Sequence, residues 1–206
     1  MRYLTEASKQ ALTAAVESIE SKSAAEVVVA VRAESGNLLQ TDLTAGALSA
    51  LSTLGFLLFS PYPFSLPAIL LDTFAFFLLG LLAARQLPTV RFYLTPRKLL
   101  EESVKRAARA EFFDAHISDT RGRTGILVYV SQTERAAEVL ADSGVRNAVD
   151  VAVWEAHVRR IRDVAAETRD GVALAQAIAE LSALLATCLP RAHDDVNELS
   201  NAVRGA

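Results

Sequence analysis

The sequence predicts an α/β domain interrupted by a transmembrane hairpin of two helices. Two observations carry this: a long stretch without basic side chains that holds two apolar runs of spanning length, and β-branched strands on either side of it. All 21 Lys and Arg residues lie in Arg2–Arg32 or Arg85–Arg204, and between Ala33 and Ala84 the only acids are Glu34, Asp42 and Asp72. The net charge of −3 over 206 residues gives no electrostatic reason to expect a nucleic-acid partner. Cys188 is the single cysteine, so no internal disulfide and no CxxC-type zinc or redox site is expected. Met1–Thr5 leads into a polar amphipathic stretch rather than an apolar h-region, which argues against a cleavable signal peptide.

The chain begins with apolar or small residues at helical spacing, Leu4, Ser8, Ala11, Leu12, Ala15, Val16 and Ile19. Thr5 is available as the N-cap and Glu6 sits in the first turn. Glu26-Val27-Val28-Val29-Ala30-Val31-Arg32 then reads as a buried strand, because its β-branched side chains suit a pleated surface.

The runs Leu43–Ser60 and Leu66–Ala84 are each close to the ~20 residues that a helix needs to cross hydrocarbon. Pro61-Tyr62-Pro63-Phe64-Ser65 between them suits a tight turn with interfacial aromatics. Small residues at Ala45, Ala47, Ser49, Ser52 and Gly55 would let the helices approach closely. Arg85, Arg91, Arg97 and Lys98 follow the second run, and Lys22 and Arg32 precede the first. The positive-inside rule therefore puts both ends in the cytoplasm and the turn outside. Asp72 lies within the second run and is either a functional intramembrane acid or an interfacial side chain near the turn.

Beyond the hairpin, Thr95 and Pro96 start an amphipathic helix with Leu99, Leu100, Val104, Ala107, Ala108 and Phe112 on one face. Glu101–Lys105 and Glu102–Arg106 pair on the other. A polar loop from Asp119 to Gly125 precedes a central strand, Ile126–Ser131. Gln132–Arg135 separates it from a third strand, Ala137–Asp142, which Gly144 ends. Two long helices, Val149–Thr168 and Val172–Leu189, close the fold, and Pro190 stops the last. The polar tail Arg191–Ala206 is expected to be loosely held. Strands one and two should be parallel, strands two and three antiparallel, with helices on both faces of the sheet. The domain organisation is thus 1–40 with 90–190 as one discontinuous domain, 43–84 as the hairpin and 191–206 as the tail.

Three segments in order carry a family resemblance. Ala24-Ala25-Glu26-Val27-Val28-Val29-Ala30-Val31 is similar to the first-strand signature of the TPM domain family, written around G-E-I-V-V-V. Gly125–Ser131, Glu134-Arg135 and Val139–Val145 resemble its G-V-L-I-Y-V-S…E-R…I-x-A-D-x-G-I core. Leu184–Pro190 followed by Asp194–Leu199 looks like the end of its bacterial membrane-protein branch, here with a hairpin inserted after the first strand. The resemblance implies a three-layer α/β/α module with a mixed sheet, tethered to the bacterial inner membrane. Some relatives in that family are described as acid phosphatases or as binders of divalent cations. The acidic turn that frequently precedes the first helix in the family is missing from this chain.

Asp114, His116 and Asp119 lie within six residues, and Asp142 falls on a motif position. These four are the candidate ligands for Ca2+ or Mg2+, which oxygen-rich clusters suit. Capping or loop solvation explains the same residues without a metal, and no EF-hand, HExxH, P-loop or GxSxG pattern is present. His157 lies beside Arg159, Arg160 and Arg162 on a basic helix face, and His193 lies in the tail. The expected function is a non-catalytic interaction or assembly module for membrane proteins. The alternatives are a divalent-metal-dependent acid phosphatase at the membrane surface, and an anionic-lipid binder using Arg85, Arg91, Arg97 and Lys98.

Overall fold

The structure is a computed structural model that describes residues 3, 5–36, 39–168, 170–192 and 197–205, with residues 88, 90 and 91 described by backbone alone. In chain order the elements are α1 (Glu6–Glu20), β1 (Glu26–Arg32), α2 (Leu39–Phe59), α3 (Leu66–Gln86), α4 (Pro88–Leu94) and α5 (Arg97–Asp114). A 3-10 turn (Ile117–Asp119) follows, then β2 (Gly125–Ser131), β3 (Ala136–Ala141), α6 (Ser143–Ala148), α7 (Val151–Glu167), α8 (Gly171–Ala179), α9 (Leu181–Cys188) and β4 (Arg204–Gly205). The chain divides into two units, Met1–Ser35 with Leu100–Ala206, and Gly36–Leu99.

The first unit is α/β with a mixed four-stranded sheet in the order β3-β2-β1-β4. β1 and β2 are parallel from Glu26↔Gly125 to Arg32↔Ser131, and β2 and β3 are antiparallel from Ile126↔Ala141 to Ser131↔Ala136. Alternation along the strands splits their side chains between two cores. Val27, Val29, Val31, Ile126, Val128 and Val130 pack with Leu12 and Val16 of α1, Ile161 of α7, Ile178 of α8 and Leu181 of α9. Val28, Ala30, Leu127 and Tyr129 pack with Val104, Ala108 and Phe112 of α5. A fully buried Ile or Leu contributes about 2 kcal/mol in such a core.

The helix starts follow local chemistry. Thr5 caps α1, its Oγ1 accepting from the Ser8 N–H at 3.2 Å. Asp150 caps α7 by accepting from the N–H groups of Ala152 and Val153. Gly171 opens α8, and a Cβ there would lie 2.5 Å from the Ser8 Cβ, so glycine is what lets α8 meet α1.

Three expectations are corrected and one helix is added. Asp142 does not end a strand: it is the N-cap of α6, and Gly144 lies inside that helix. The expected helix Val172–Leu189 is two helices, α8 and α9, meeting at Glu180. The tail is not loosely held where it is described, since Arg204 and Gly205 pair with Ala30 and Val31 as a fourth strand. A further helix, α4, is present, too short for periodicity to signal and opened by Pro88 at the favoured first position.

The second unit holds α2 and α3, each 21 residues and so about 31 Å long. Ser65 caps α3, accepting from the Ala68 N–H at 3.4 Å. The helices meet at glycines: a Cβ on Gly80 would stand 2.6 Å from the Ser49 Cβ, and one on Gly46 would stand 2.9 Å from the Phe77 carbonyl. α2 starts four residues before the expected Leu43, because its polar first turn is packed rather than solvated. Thr41 and Asp42 are buried there, and Thr41 Oγ1 lies 2.8 Å from Thr95 Oγ1.

Candidate functional site

The acids singled out in the sequence lie at the amino end of β2. Asp114 is the exposed last residue of α5, and His116 turns the chain with a left-handed φ of 56°. His116 Nδ1 stands 2.9 Å from the Asp119 carboxylate, which also accepts from Ser118 Oγ at 3.2 Å. These hydrogen bonds, His116 first, hold the Asp119 carboxyl below its usual range. Asp142 is largely buried: one oxygen accepts from the Ser143 N–H at 2.6 Å, and the other faces the Arg123 guanidinium at 3.5 Å. Gly144 has no room for a Cβ, which would meet the Gly122 carbonyl at 2.3 Å, so α6 is seated directly on the loop that presents Arg123.

The four candidates thus form no single cage, and Asp114 stands apart from the other three at the exposed end of α5. His116 is joined to Asp119 and Asp142 to Arg123, and among the described residues no group of three His, Cys, Asp or Glu is placed to hold a metal. His193, Asp194 and Asp195 lie outside the described residues.

Two polar clusters that sequence reasoning did not assemble flank the parallel strands, although Glu26 and Glu134 fell on motif positions. At the amino end of β1, Glu20 and Glu26 are both buried. Glu20 accepts from the Val27 N–H at 3.0 Å and from Asn197 Nδ2 at 3.4 Å, while Glu26 accepts from the N–H groups of Glu198 and Leu199 at 3.2 Å each. Burial, with the Glu26 charge beside it, pushes the Glu20 carboxyl up to about 7 against the Val27 hydrogen bond. At the carboxyl end, Glu111 of α5 lies 2.7 Å from Arg32 and 3.8 Å from Arg204. The buried Glu134 carboxylate takes Ser131 Oγ and the Ser35 N–H, and burial raises the neighbouring Tyr129 phenol. The available signal was a glutamate at the edge of an otherwise apolar strand, as at Glu26.

The remaining candidates lie in the second unit. Arg85 lies in the last turn of α3, Arg97 and Lys98 open α5, and all three are exposed; the Arg91 side chain lies outside the described residues. Three helical stretches are long and apolar enough to cross a membrane: Leu39–Phe59, Leu66–Gln86 and Gly171–Cys188. They differ in burial, with 22%, 0% and 44% of the most apolar window buried respectively. The third is core, since Leu174, Ile178, Leu181 and Leu185 in it are fully buried. The second exposes Leu70, Leu71, Phe74 and Leu79 along its length.

No family model and no curated protein matches the chain. Among solved structures it is similar to the NMR structure of the BA42 protein from the psychrophilic bacterium Bizionia argentinensis. The likeness has a TM-score of 0.59 at 15% identity and covers 99% of this chain and 96% of that one. It is a likeness of fold.

Proposed function

We propose that the chain is a membrane-tethered interaction module in which a TPM-like α/β/α unit is held at the bilayer by α2 and α3. The observation that carries this reading is the exposure of α3, a helix of mean hydropathy 2.1 with none of its apolar window buried. Water would strongly disfavour such a surface, whereas hydrocarbon solvates it and leaves every helical backbone group paired. Both ends and the folded unit are cytoplasmic in this reading, the membrane being a bacterial inner membrane, with the Tyr62 and Phe64 turn outside. The α/β fold shared with BA42 is consistent with it.

The test is membrane fractionation of the intact chain followed by alkaline carbonate extraction. The chain should stay in the pellet, and Leu78→Arg, near the middle of α3, should move a large fraction to the supernatant. Chymotrypsin added outside spheroplasts should cut only at the turn. A chain washed off by carbonate would end the tether reading.

A second reading is favoured by the exposed Arg85, Arg97 and Lys98. Basic side chains beside a span are attracted to anionic lipid by about 1 kcal/mol each, an effect that salt weakens. Binding to phosphatidylserine vesicles that collapses at high salt would support this reading.

A further inference from the structure

We infer that the outward face of α3 around Asp72 docks a transmembrane helix of a partner protein that carries a basic side chain at the same depth. This rests on the membrane-hairpin reading and adds the partner's chemistry. Gly80 and Phe77 of α3 meet α2, and Ala84 is buried. Asp72, Ala75, Phe76, Leu79 and Ala83 are all exposed and share another stripe at helical spacing. Asp72 makes no hydrogen bond or ion pair with any described residue.

Depth makes that isolation costly. Asp72 lies six residues past Leu66, the first residue of α3, which places it about 9 Å along the axis. In the hairpin reading Tyr62 and Phe64 lie at the interface, and Asp72 lies deeper than its short side chain spans. A lone carboxylate in hydrocarbon is costly, and a cation at the same depth offsets that cost. A second copy of this chain cannot supply a cation, because residues 33–84 contain no Lys, Arg or His. A guanidinium or ammonium on another protein's helix neutralises the charge and donates to both oxygens. Ala75 and Ala83 on the same stripe leave room for its backbone to come close.

The intact protein, with Ser60→Cys for a dye and Cys188→Ser, is reconstituted in phosphatidylcholine vesicles with labelled leucine-rich transmembrane peptides. One peptide carries Arg at the depth of Asp72 measured from the turn side, one carries Arg near the opposite end, and one carries none. Energy transfer should report association about tenfold tighter for the first, equivalent to one charge pair. Asp72→Leu should abolish the preference. Equal association with all three peptides, or an undiminished preference in Asp72→Leu, overturns the inference. Asp72-dependent association between two copies of the chain also overturns it. Carbonate extraction of the same vesicles separates the two failures: a protein that is inserted but shows no preference loses only this inference, and one that is not inserted loses the tether as well.

Discussion

Glu26 holds the backbone N–H of Leu199, 173 residues further along the chain, at 3.2 Å. Its other oxygen holds the N–H of Glu198. With Arg204 reaching Glu111 at 3.8 Å, the clamp fixes both ends of a segment that supplies an edge strand parallel to β1. A carboxylate accepting two N–H groups is a charge-assisted device, stronger than a neutral hydrogen bond.

Glu26→Ala takes the carboxylate from both N–H groups, leaving the Leu199 N–H only its second acceptor, Asn197 Oδ1, and should cost about 1–3 kcal/mol. Amide hydrogen exchange should show lost protection at residues 198–205 before any loss in β1 and β2. Lys9→Ala, which removes an exposed pair with Glu6, should change stability by less than about 0.5 kcal/mol. If Glu26→Ala leaves the tail as protected as before, the clamp is not what holds it.

Glu20 sets a pH dependence. Its folded pKa of about 7 lies above the ordinary 4.5, so the folded state retains a proton that the unfolded chain has released. Its contribution to stability is therefore complete below about 4.5 and is lost as pH rises through about 7. The urea midpoint, followed by the fluorescence of Trp154, should fall between these limits, and Glu20→Gln should flatten that fall. Parallel profiles for the two proteins would show that Glu20 is not the group responsible.

The two glycines on facing sides of the hairpin seam and away from it should behave differently. A Cβ at Gly80 meets Ser49 and Ala45, whereas at Gly55 it meets nothing within 4 Å. Gly80→Ala should destabilise the α2–α3 pair in detergent by about 1–3 kcal/mol through overpacking. Gly55→Ala should be neutral or stabilising by about 0.5–1 kcal/mol, since alanine restricts the unfolded helix. Equal melting shifts for the two would mean that the helices do not pack at Gly80.

Asp142→Ala should act as the loss of a cap and of a partner for Arg123, at a cost of about 1 kcal/mol. Calorimetric titration of calcium and of magnesium should give no heat that depends on Asp142, because the Arg123 cation already faces its free oxygen and, among the described residues, no second carboxylate joins it. Micromolar binding abolished by Asp142→Ala would return a divalent cation to this loop and justify phosphatase assays.

The sequence alone determined the elements whose burial follows a local pattern. The β-branched run marked β1 to the residue, Thr5 marked the start of α1, and the short break at Gln132–Arg135 required an antiparallel β2–β3 pair. Length and hydropathy picked out α2 and α3, because a lipid-length apolar helix is written in consecutive residues. Only the tertiary structure decided where the polar groups meet. The Glu26 clamp and the pairing of Glu111 with Arg32 and Arg204 join residues far apart in the chain, and no local periodicity encodes such meetings. A strand of two residues, β4, has no alternation to read. Asp142 looked like a strand end because its neighbours are apolar, and it became a cap because α6 settles against Gly122 and Arg123 through Gly144. Burial against solvent is a property of a segment, whereas the partner of a buried charge is a property of the whole fold.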